Sequence, residues 1–194
     1  MVTVQAGTVE RVVVYPVKSL AGSSRPAAEL GPDGLAGDRA WVPVDAASGA
    51  ALQARDVPGL HDLAPSGDPD RDAAALSGLA GAPVRLEART GPAGAAVHLV
   101  SRRALDRAAA GEVPEGCAAE DPRANLVLAL GAGGDERAWV GRRLRVGGAL
   151  LEVSRLPKHC LGVYAEVLRP GTVAVGDPVV VDPVVDPAVE DDGV

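Results

Sequence analysis

The chain has 194 residues, which suffices for one domain with a substantial core or for two small interlocked domains. Hydrophobic residues make up 47% and charged residues 23%, a composition typical of globular rather than disordered proteins. Aromatic residues reach only 2%, phenylalanine is absent, and the formal net charge is -7. These values argue against aromatic base-stacking and against a broadly basic surface, so we expect no nucleic-acid partner.

The cysteines and the N-terminal segment bear on the compartment in which the protein works. The two cysteines are Cys117 and Cys160, and a chain of this length does not require a disulfide for stability. The first residues lack the basic and apolar regions of a signal peptide, and no apolar run approaches the roughly 18 residues of a membrane span. We expect a soluble cytoplasmic protein with free thiols and no membrane partner.

Short aliphatic and β-branched runs, separated by many of the 24 glycines and 16 prolines, predict short strands. In chain order we predict strands over residues 9–17, 40–44, 50–54, 84–88, 96–100, 124–130, 144–146, 149–153, 163–168 and 178–181. Turn signals at 45–49, 90–94, 147–148 and 169–172 predict reversals between the strands that flank them.

Capping residues predict two short helices between these strands. The first covers residues 73–79 with Asp70 or Asp72 as its N-cap, and the second follows Ser101 as N-cap and ends at Gly111. Strands outnumber helices along the chain. The pattern therefore favours a mainly β fold with a few short helices, arranged as a barrel.

Generic catalytic motifs are absent from the sequence. It contains no G-x-S-x-G, no P-loop, no H-E-x-x-H and no C-x-x-C. The three histidines, His61, His98 and His159, are far apart in the sequence and lack metal-ligand spacing. A zinc site is therefore not supported.

Polar and reactive side chains instead lie at strand ends and in loops. They are Lys18 with Ser19, Asp38 with Arg39, Arg123 with Asn125, and Cys160 beside Lys158 and His159. Lysine and arginine side chains that converge from separate strand ends would suit an anionic, phosphorylated ligand, because guanidinium groups match phosphate oxygens. Two potential cations beside Cys160 would favour its thiolate, which is a nucleophile and a soft-metal ligand.

Each of these residues also has an ordinary structural interpretation. Lys18 and Arg39 would by default be solvated surface charges, and Asp38 with Arg39 could form a local ion pair at a turn. Asn125 could satisfy backbone groups. A lone thiol such as Cys160 is more often a small hydrophobic residue than a reactive group.

These motifs and their order resemble those of the MOSC family and of the β-barrel domain that precedes it in its members. The family is named for the C-terminal domain of molybdenum cofactor sulfurases. The matching motifs are YPVKS (15–19), GLAGDRAW (34–41), QAR (53–55) with Pro58 and Leu60, VHLVSRRAL (97–105), DPRANLVL (121–128), WVGRRLRVGGALLEV (139–153), and the Cys160 loop with GVYAEVLRPGTVAVGDPVVV (162–181). The resemblance covers nearly the whole chain, and the shared order makes the short motifs specific.

The resemblance implies a MOSC-like β-barrel fused to an N-terminal β-barrel-type subdomain. Residues 1–88 would be the N-terminal region, 89–182 the MOSC core, and 183–194 a flexible acidic tail. The resemblance also implies molybdenum cofactor, a pterin dithiolene that carries a phosphate group. Cys160 would be the catalytic residue and molybdenum ligand, and the remaining cofactor-binding residues would be Lys18, Ser19, Arg39, Ser101, Arg123 and Asn125.

Two functions follow from this resemblance, and a third possibility is a MOSC-like scaffold that has lost the cofactor. The first function is a small oxidoreductase that reduces N- or S-oxygenated small molecules with electrons from a separate donor protein. The second is a non-redox carrier of cofactor or of persulfide sulfur on Cys160, supplied by a cysteine desulfurase. Many family members have a longer segment between the cysteine and the strand at Gly162, and its shortness here favours the carrier.

Overall fold

The computed structural model describes residues 4–90, 96–113, 122–158 and 161–182. The strands are β1 (Val4–Val14), β2 (Ser23–Arg25), β3 (Ala27–Gly31), β4 (Gly34–Leu35), β5 (Trp41–Asp45), β6 (Val84–Ala88), β7 (Val97–Ser101), β8 (Leu126–Leu130), β9 (Arg143–Val146), β10 (Ala149–Arg155), β11 (Val163–Arg169), β12 (Gly171–Ala174) and β13 (Pro178–Val181). The helices are α1 (Pro69–Ala80) and α2 (Arg102–Ala109), with 3-10 turns at Leu60–Asp62 and Glu136–Trp139.

Seven of these strands form a closed barrel. Neighbours follow the order β13-β9-β10-β11-β7-β8-β1, and β1 pairs with β13 to close the ring. Only β7 and β8 run parallel within this ring. Alternate side chains point into the core, so that Ala149, Leu151 and Val153 of β10 are fully buried. The predicted mainly β class and the barrel are confirmed.

A second, smaller core belongs to the segment between β1 and β6. Its buried members are Val17, Leu20, Leu52, Leu60, Leu76 and Val84. They come from the segment that follows β1, from α1, and from β6, which pairs with β5 in a two-stranded sheet. The division of the chain after residue 88 stays a prediction; β1, at the start of the first part, is one of the seven barrel strands.

The first helix begins earlier than its sequence pattern predicted. Asp68 is the N-cap of α1, and its Oδ1 accepts hydrogen bonds from the backbone N–H groups of Asp70 (3.0 Å) and Arg71 (3.3 Å). Pro69 then occupies the first helical position, where its missing N–H costs nothing. The predicted caps Asp70 and Asp72 are therefore wrong; Asp72 instead accepts a 2.6 Å bond from the backbone N–H of Ser66.

One predicted strand pairing is wrong, and another is reduced to a single bridge. The turn after β5 forms, and hydrogen bonds from Ser48 hold the pKa of Asp45 below its usual value. Residues 50–54 nevertheless contribute one bridge, between Val44 and Ala51, whereas β6 pairs along the whole of β5. Likewise β7 pairs with β8 and β11 rather than with β6. Every residue of β7 is buried, because its two faces are both covered: Val97 and Leu99 belong to the main core, and Val100 packs with residues of α2.

The reversal predicted at 169–172 is partly a strand. β12 begins at Gly171 and pairs with β3, so that Gly171 lies opposite Leu30. A Cβ atom on Gly171 would lie 2.4 Å from the carbonyl carbon of Gly148, so only glycine fits where this strand crosses the β9–β10 turn. The predicted β9–β10 hairpin is confirmed, with Gly147 at φ 54. The predicted frayed tail after Asp182 and most of the 90–94 turn lie outside the described residues.

Candidate functional site

Three residues with unusual backbone conformation define the candidate site. Ser19 (φ 70), Arg39 (φ 49) and Arg123 (φ 55) are the non-glycine residues with positive φ in the described part of the chain. This left-handed region costs an L-residue of the order of 1–3 kcal/mol, and such residues concentrate at functional sites. All three were predicted as ligand-binding residues on other grounds, namely residue type and motif.

The segments that carry Ser19 and Arg39 run side by side. The backbone N–H of Lys18 donates to the carbonyl of Trp41 (2.8 Å), and that of Trp41 donates to the carbonyl of Pro16 (3.1 Å). The backbone N–H of Tyr15 donates to Oδ1 of Asp38 (2.8 Å). The exit of β1 and the entry of β5 are therefore held together, which places Lys18 and Ser19 beside the Arg39 segment.

The Arg39 guanidinium joins this loop pair to the start of β8. Its Nη1 forms an ion pair with Asp38, a side chain that is only 8% exposed. Its Nη2 donates to the carbonyl oxygen of Arg123 (3.1 Å), and Nη1 lies 3.5 Å from Oδ1 of Asn125. The predicted alternative of a local Asp38–Arg39 pair is therefore correct, and the same arginine also bridges two elements far apart in sequence.

Tyr15 lies against both arginines. The Cζ atom of Arg39 is 5.1 Å from the centroid of the Tyr15 ring, and that of Arg123 is 4.4 Å away. Cation–π attraction to the shared ring offsets part of the repulsion between the two guanidinium groups. Arg39 and Arg123 thus bring two cations to one ring, with Lys18 on the adjoining segment and Asp38 paired with Arg39, in a chain whose net charge is -7.

His61 also belongs to the site, although no sequence pattern singled it out. Its Nδ1 lies 2.9 Å from the carbonyl oxygen of Ser19 and 3.3 Å from Nη1 of Arg123. The imidazole thereby connects two of the left-handed residues. In the sequence, His61 is 42 positions from Ser19 and 62 positions from Arg123. The short spacings that mark metal ligands could not have revealed contacts between residues so far apart.

Asn125 is mainly a structural residue of the barrel. Its buried side chain accepts from the backbone N–H of His98 (3.2 Å) and donates to the carbonyl of Val13 (3.3 Å), tying β8 to β7 and β1. His98 in turn bonds through Nε2 to the carbonyl of Leu161 (2.7 Å) and packs against Tyr164. Asn125 therefore satisfies backbone groups, as one interpretation predicted, and reaches the site only through Arg39.

The remaining predicted residues differ in their relation to this cluster. Ser101 is buried, caps α2 by accepting from the backbone N–H of Ala104 (3.1 Å), and donates its own backbone N–H to Oε1 of Glu136 (3.0 Å). Lys18 is exposed, and within the described part of the chain no hydrogen bond or ion pair engages its ammonium group. Cys160 and Cys117 lie outside the described residues.

Neither a metal cluster nor a membrane helix is found in the part of the chain that the structure describes. There, no group of three or more His, Cys, Asp or Glu side chains could hold a metal ion. None of the helices in these same ranges is long and apolar enough to cross a membrane. What the structure does present is a cationic cluster built on strained backbone, and such a cluster can bind an anion.

The fold and the site together define a class of protein. It is a mainly β protein with a closed barrel. A cationic cluster lies where the end of β1, the start of β8 and the segment before β5 come together. A family model described as the MOSC N-terminal beta barrel domain matches residues 6–112, more than half of the chain. The chain belongs to this MOSC family, which confirms the resemblance seen in the sequence.

A solved structure with a TM-score above 0.5 supports the fold. The YuaD protein from Bacillus subtilis superposes with a TM-score of 0.55 at 15% identity, covering 93% of this chain and 97% of that one. YiiM from Escherichia coli gives a TM-score of 0.46 at 16% identity, covering 91% of this chain and 70% of that one. Among curated proteins, none matches the chain.

Proposed function

We propose that the chain binds molybdenum cofactor and acts as a small oxidoreductase toward N- or S-oxygenated compounds. Lys18, Ser19, Arg39 and Arg123 hold the phosphate-bearing part of the cofactor, and Cys160 is the thiolate ligand of the metal. The observation that carries the proposal is the meeting of two left-handed arginines, Arg39 and Arg123, against one tyrosine ring, with left-handed Ser19 connected to Arg123 through His61. The MOSC family is associated with this cofactor, which supports the choice of anion.

The chemistry of the cluster fits a phosphate group. Two guanidinium groups meet at the Tyr15 ring, and guanidinium groups form bidentate bonds with phosphate oxygens. The carbonyl oxygens of Ser19 and Arg123 would repel an anion, but nitrogen atoms of His61 and Arg39 lie against them at 2.9 and 3.1 Å. The site therefore presents donors rather than acceptors toward its ligand.

The role of Cys160 is argued from its neighbour in the chain, because Cys160 itself lies outside the described residues. Cys160 precedes Leu161, whose carbonyl bonds to His98; His98 bonds to Asn125, which contacts Arg39. This series of contacts runs from the neighbour of the thiol to the cationic cluster. It supports a single ligand held at one end by the thiolate and at the other by the arginines.

The residues of the chain bind and orient the ligand, while the bound cofactor supplies oxygen-atom exchange and two-electron redox chemistry. Asp38 fixes the orientation of the Arg39 guanidinium, and Tyr15 supports both guanidinium groups from one side. Lys18, whose ammonium group is exposed, neutralises further negative charge as the ligand enters. Electrons come from a separate donor protein, and we expect the reaction to take place in the cytoplasm.

Metal analysis tests the proposal directly. Protein made in a host that synthesises the cofactor should contain molybdenum, and Cys160→Ala should lose it. Cys117→Ala is the matched control, because it removes the other thiol of the chain and should keep the metal. Arg39→Gln and Arg123→Gln should each lower the molybdenum content. A wild-type protein without molybdenum, or equal content in Cys160→Ala, would contradict the proposal.

A second candidate function is a carrier of persulfide sulfur on Cys160. The observation that favours it is the short connection, in which Leu161 alone separates Cys160 from Gly162 at the start of β11. A short connection would leave the thiol open to a partner protein. Incubation with a cysteine desulfurase and a sulfur source should then add 32 Da, about the mass of one sulfur atom, to Cys160 and not to Cys117. Sulfur on both thiols, or on neither, would argue against this function.

A further inference from the structure

Gly22 lies against the ring of Tyr15, just beyond the last residue pair of β1 and β2. That pair is Val14 opposite Ser23, so the next residues in the same register are Tyr15 and Gly22. A Cβ atom on Gly22 would lie 2.5 Å from Cε1 and 2.8 Å from Cδ1 of the ring. Ordinary van der Waals contact begins at 3.4 Å, so the ring occupies the space that a side chain at position 22 would need.

The same ring is the meeting point of the candidate site. The Cζ atoms of Arg39 and Arg123 lie 5.1 and 4.4 Å from its centroid, and its hydroxyl group donates to the carbonyl of Ala124 (3.4 Å). A cation–π contact is effective only within about 6 Å of the ring centroid. The position of the Tyr15 ring therefore determines where a guanidinium group can be held.

We infer that Gly22 is a positioning residue of the anion site: its missing Cβ lets the Tyr15 ring lie against the backbone there, and the ring in that position orients the Arg39 guanidinium. This role rests on the proposed function, because it takes the anion as a ligand that Arg39 helps to hold. Arg123 enters only through its contact with the ring. None of the sequence motifs includes Gly22, and the family match assigns it no role.

The atoms around Gly22 indicate that a substitution there would change the site rather than unfold the chain. The nearest neighbours of an added Cβ are side-chain atoms, namely the Tyr15 ring and Cγ1 of Val13 at 2.6 Å. At Gly162, by contrast, the obstacle is a backbone carbonyl oxygen at 2.0 Å. Gly22 is exposed and is not among the glycines with positive φ, so its backbone accommodates alanine. Gly22→Ala should therefore displace the ring by about 1 Å to restore ordinary contact.

Binding of inorganic phosphate, measured by NMR titration of the full chain, tests this role. We expect Gly22→Ala to bind phosphate about three- to tenfold more weakly than wild type, because a guanidinium that has lost its support must be ordered by the ligand. Gly78→Ala is the matched control. It makes the same substitution at an exposed position of α1, where no atom lies within 4 Å of the added Cβ, and it should bind phosphate as wild type does.

A double-mutant cycle separates positioning from a general loss of order. In a Tyr15→Ala background the ring is absent, so adding Gly22→Ala should weaken phosphate binding by no more than about twofold further. A merely structural role of Gly22 would give the same loss in both backgrounds.

The side-chain Nε–H signal of Arg39 supplies a second readout that needs neither phosphate nor the Tyr15→Ala variant. It is assigned by its absence in Arg39→Gln, and it should shift in Gly22→Ala, where the ring has moved, and stay in place in Gly78→Ala. An unmoved Arg39 signal, equal phosphate affinity in Gly22→Ala and wild type, or the same loss with and without the ring would overturn this inference alone. A wild-type protein whose phosphate response is absent, or unchanged in Arg39→Gln, would overturn the proposed anion site together with it.

Discussion

Substitution of Ser19 by glycine and by alanine measures the backbone strain at the candidate site. With φ at 70, any side chain with a Cβ atom is strained at this position, whereas glycine is not. Alanine removes the hydroxyl and keeps the strain; glycine removes both. The difference between the two variants therefore isolates the strain from the loss of the hydroxyl group.

The expected difference can be worked out from the backbone conformation. A left-handed residue with a Cβ costs about 1–3 kcal/mol, and the greater freedom of glycine in the unfolded chain returns about 0.5–1 kcal/mol. Ser19→Gly should thus exceed Ser19→Ala in unfolding free energy by about 1 kcal/mol, within a range of about 0–2.5 kcal/mol. In a chain of this size a difference of about 1 kcal/mol corresponds to a rise in Tm of about 2–4 °C.

Thermal and urea unfolding of the purified variants, followed by circular dichroism, measure this difference. Ser24 in β2 provides the control, because it is exposed and extended. There the order should reverse, with Ser24→Gly less stable than Ser24→Ala by about 0.5–1 kcal/mol. If Ser19→Gly were no more stable than Ser19→Ala, the left-handed conformation would not be a strained feature of the folded chain.

Two further predictions concern a glycine that lies against β7 and the buried carboxylate of the site. Gly162→Ala should lower the unfolding free energy by about 3 kcal/mol or more in urea titrations, because its Cβ would lie 2.0 Å from the carbonyl oxygen of Leu99 at φ 78. Gly37→Ala has the same φ and open space, so it should cost only about 1–2 kcal/mol, and equal losses would refute the steric argument. Asp38→Ala leaves the backbone N–H of buried Tyr15 without its acceptor and should cost about 2–4 kcal/mol in the same assay. Asp38→Asn should cost less, since its amide oxygen can still accept that bond; equal costs would show that the charge matters more than the bond.

The site residues could be predicted from the sequence because strand ends carry a recognisable signature. Ser19, Arg39 and Arg123 each lie beside an aliphatic run that becomes β1, β5 or β8. A polar residue next to such a run is at the edge of the sheet, and several such edges in one barrel lie close together. Residue type and local pattern marked these positions, and the family resemblance pointed to the same ones; their role in ligand binding stays a prediction.

Strand partners could not be predicted in the same way. The turn at Asp45 forms, but the residues after it supply one bridge while β6, about forty residues on, supplies five pairs. Local turn signals report where a chain reverses, whereas pairing depends on which strand has an unpaired edge after the barrel closes. The contacts of His61 with Ser19 and Arg123 have the same origin, because they exist only once these distant segments are packed.

The pairing of β1 explains why three separate loops keep a strained, left-handed residue in the folded chain. Its first half closes the barrel on β13, and its last residues pair with β2 and β8. The chain therefore leaves the barrel at Tyr15 in a fixed direction, and Asp38 and Arg39 bond to that exit through both backbone and side chain. Arg39 then bonds to the carbonyl of Arg123. Each left-handed residue is thus held by contacts from another segment, so release of one loop would weaken the constraint on the others, and the anion site and the barrel closure should lose stability together.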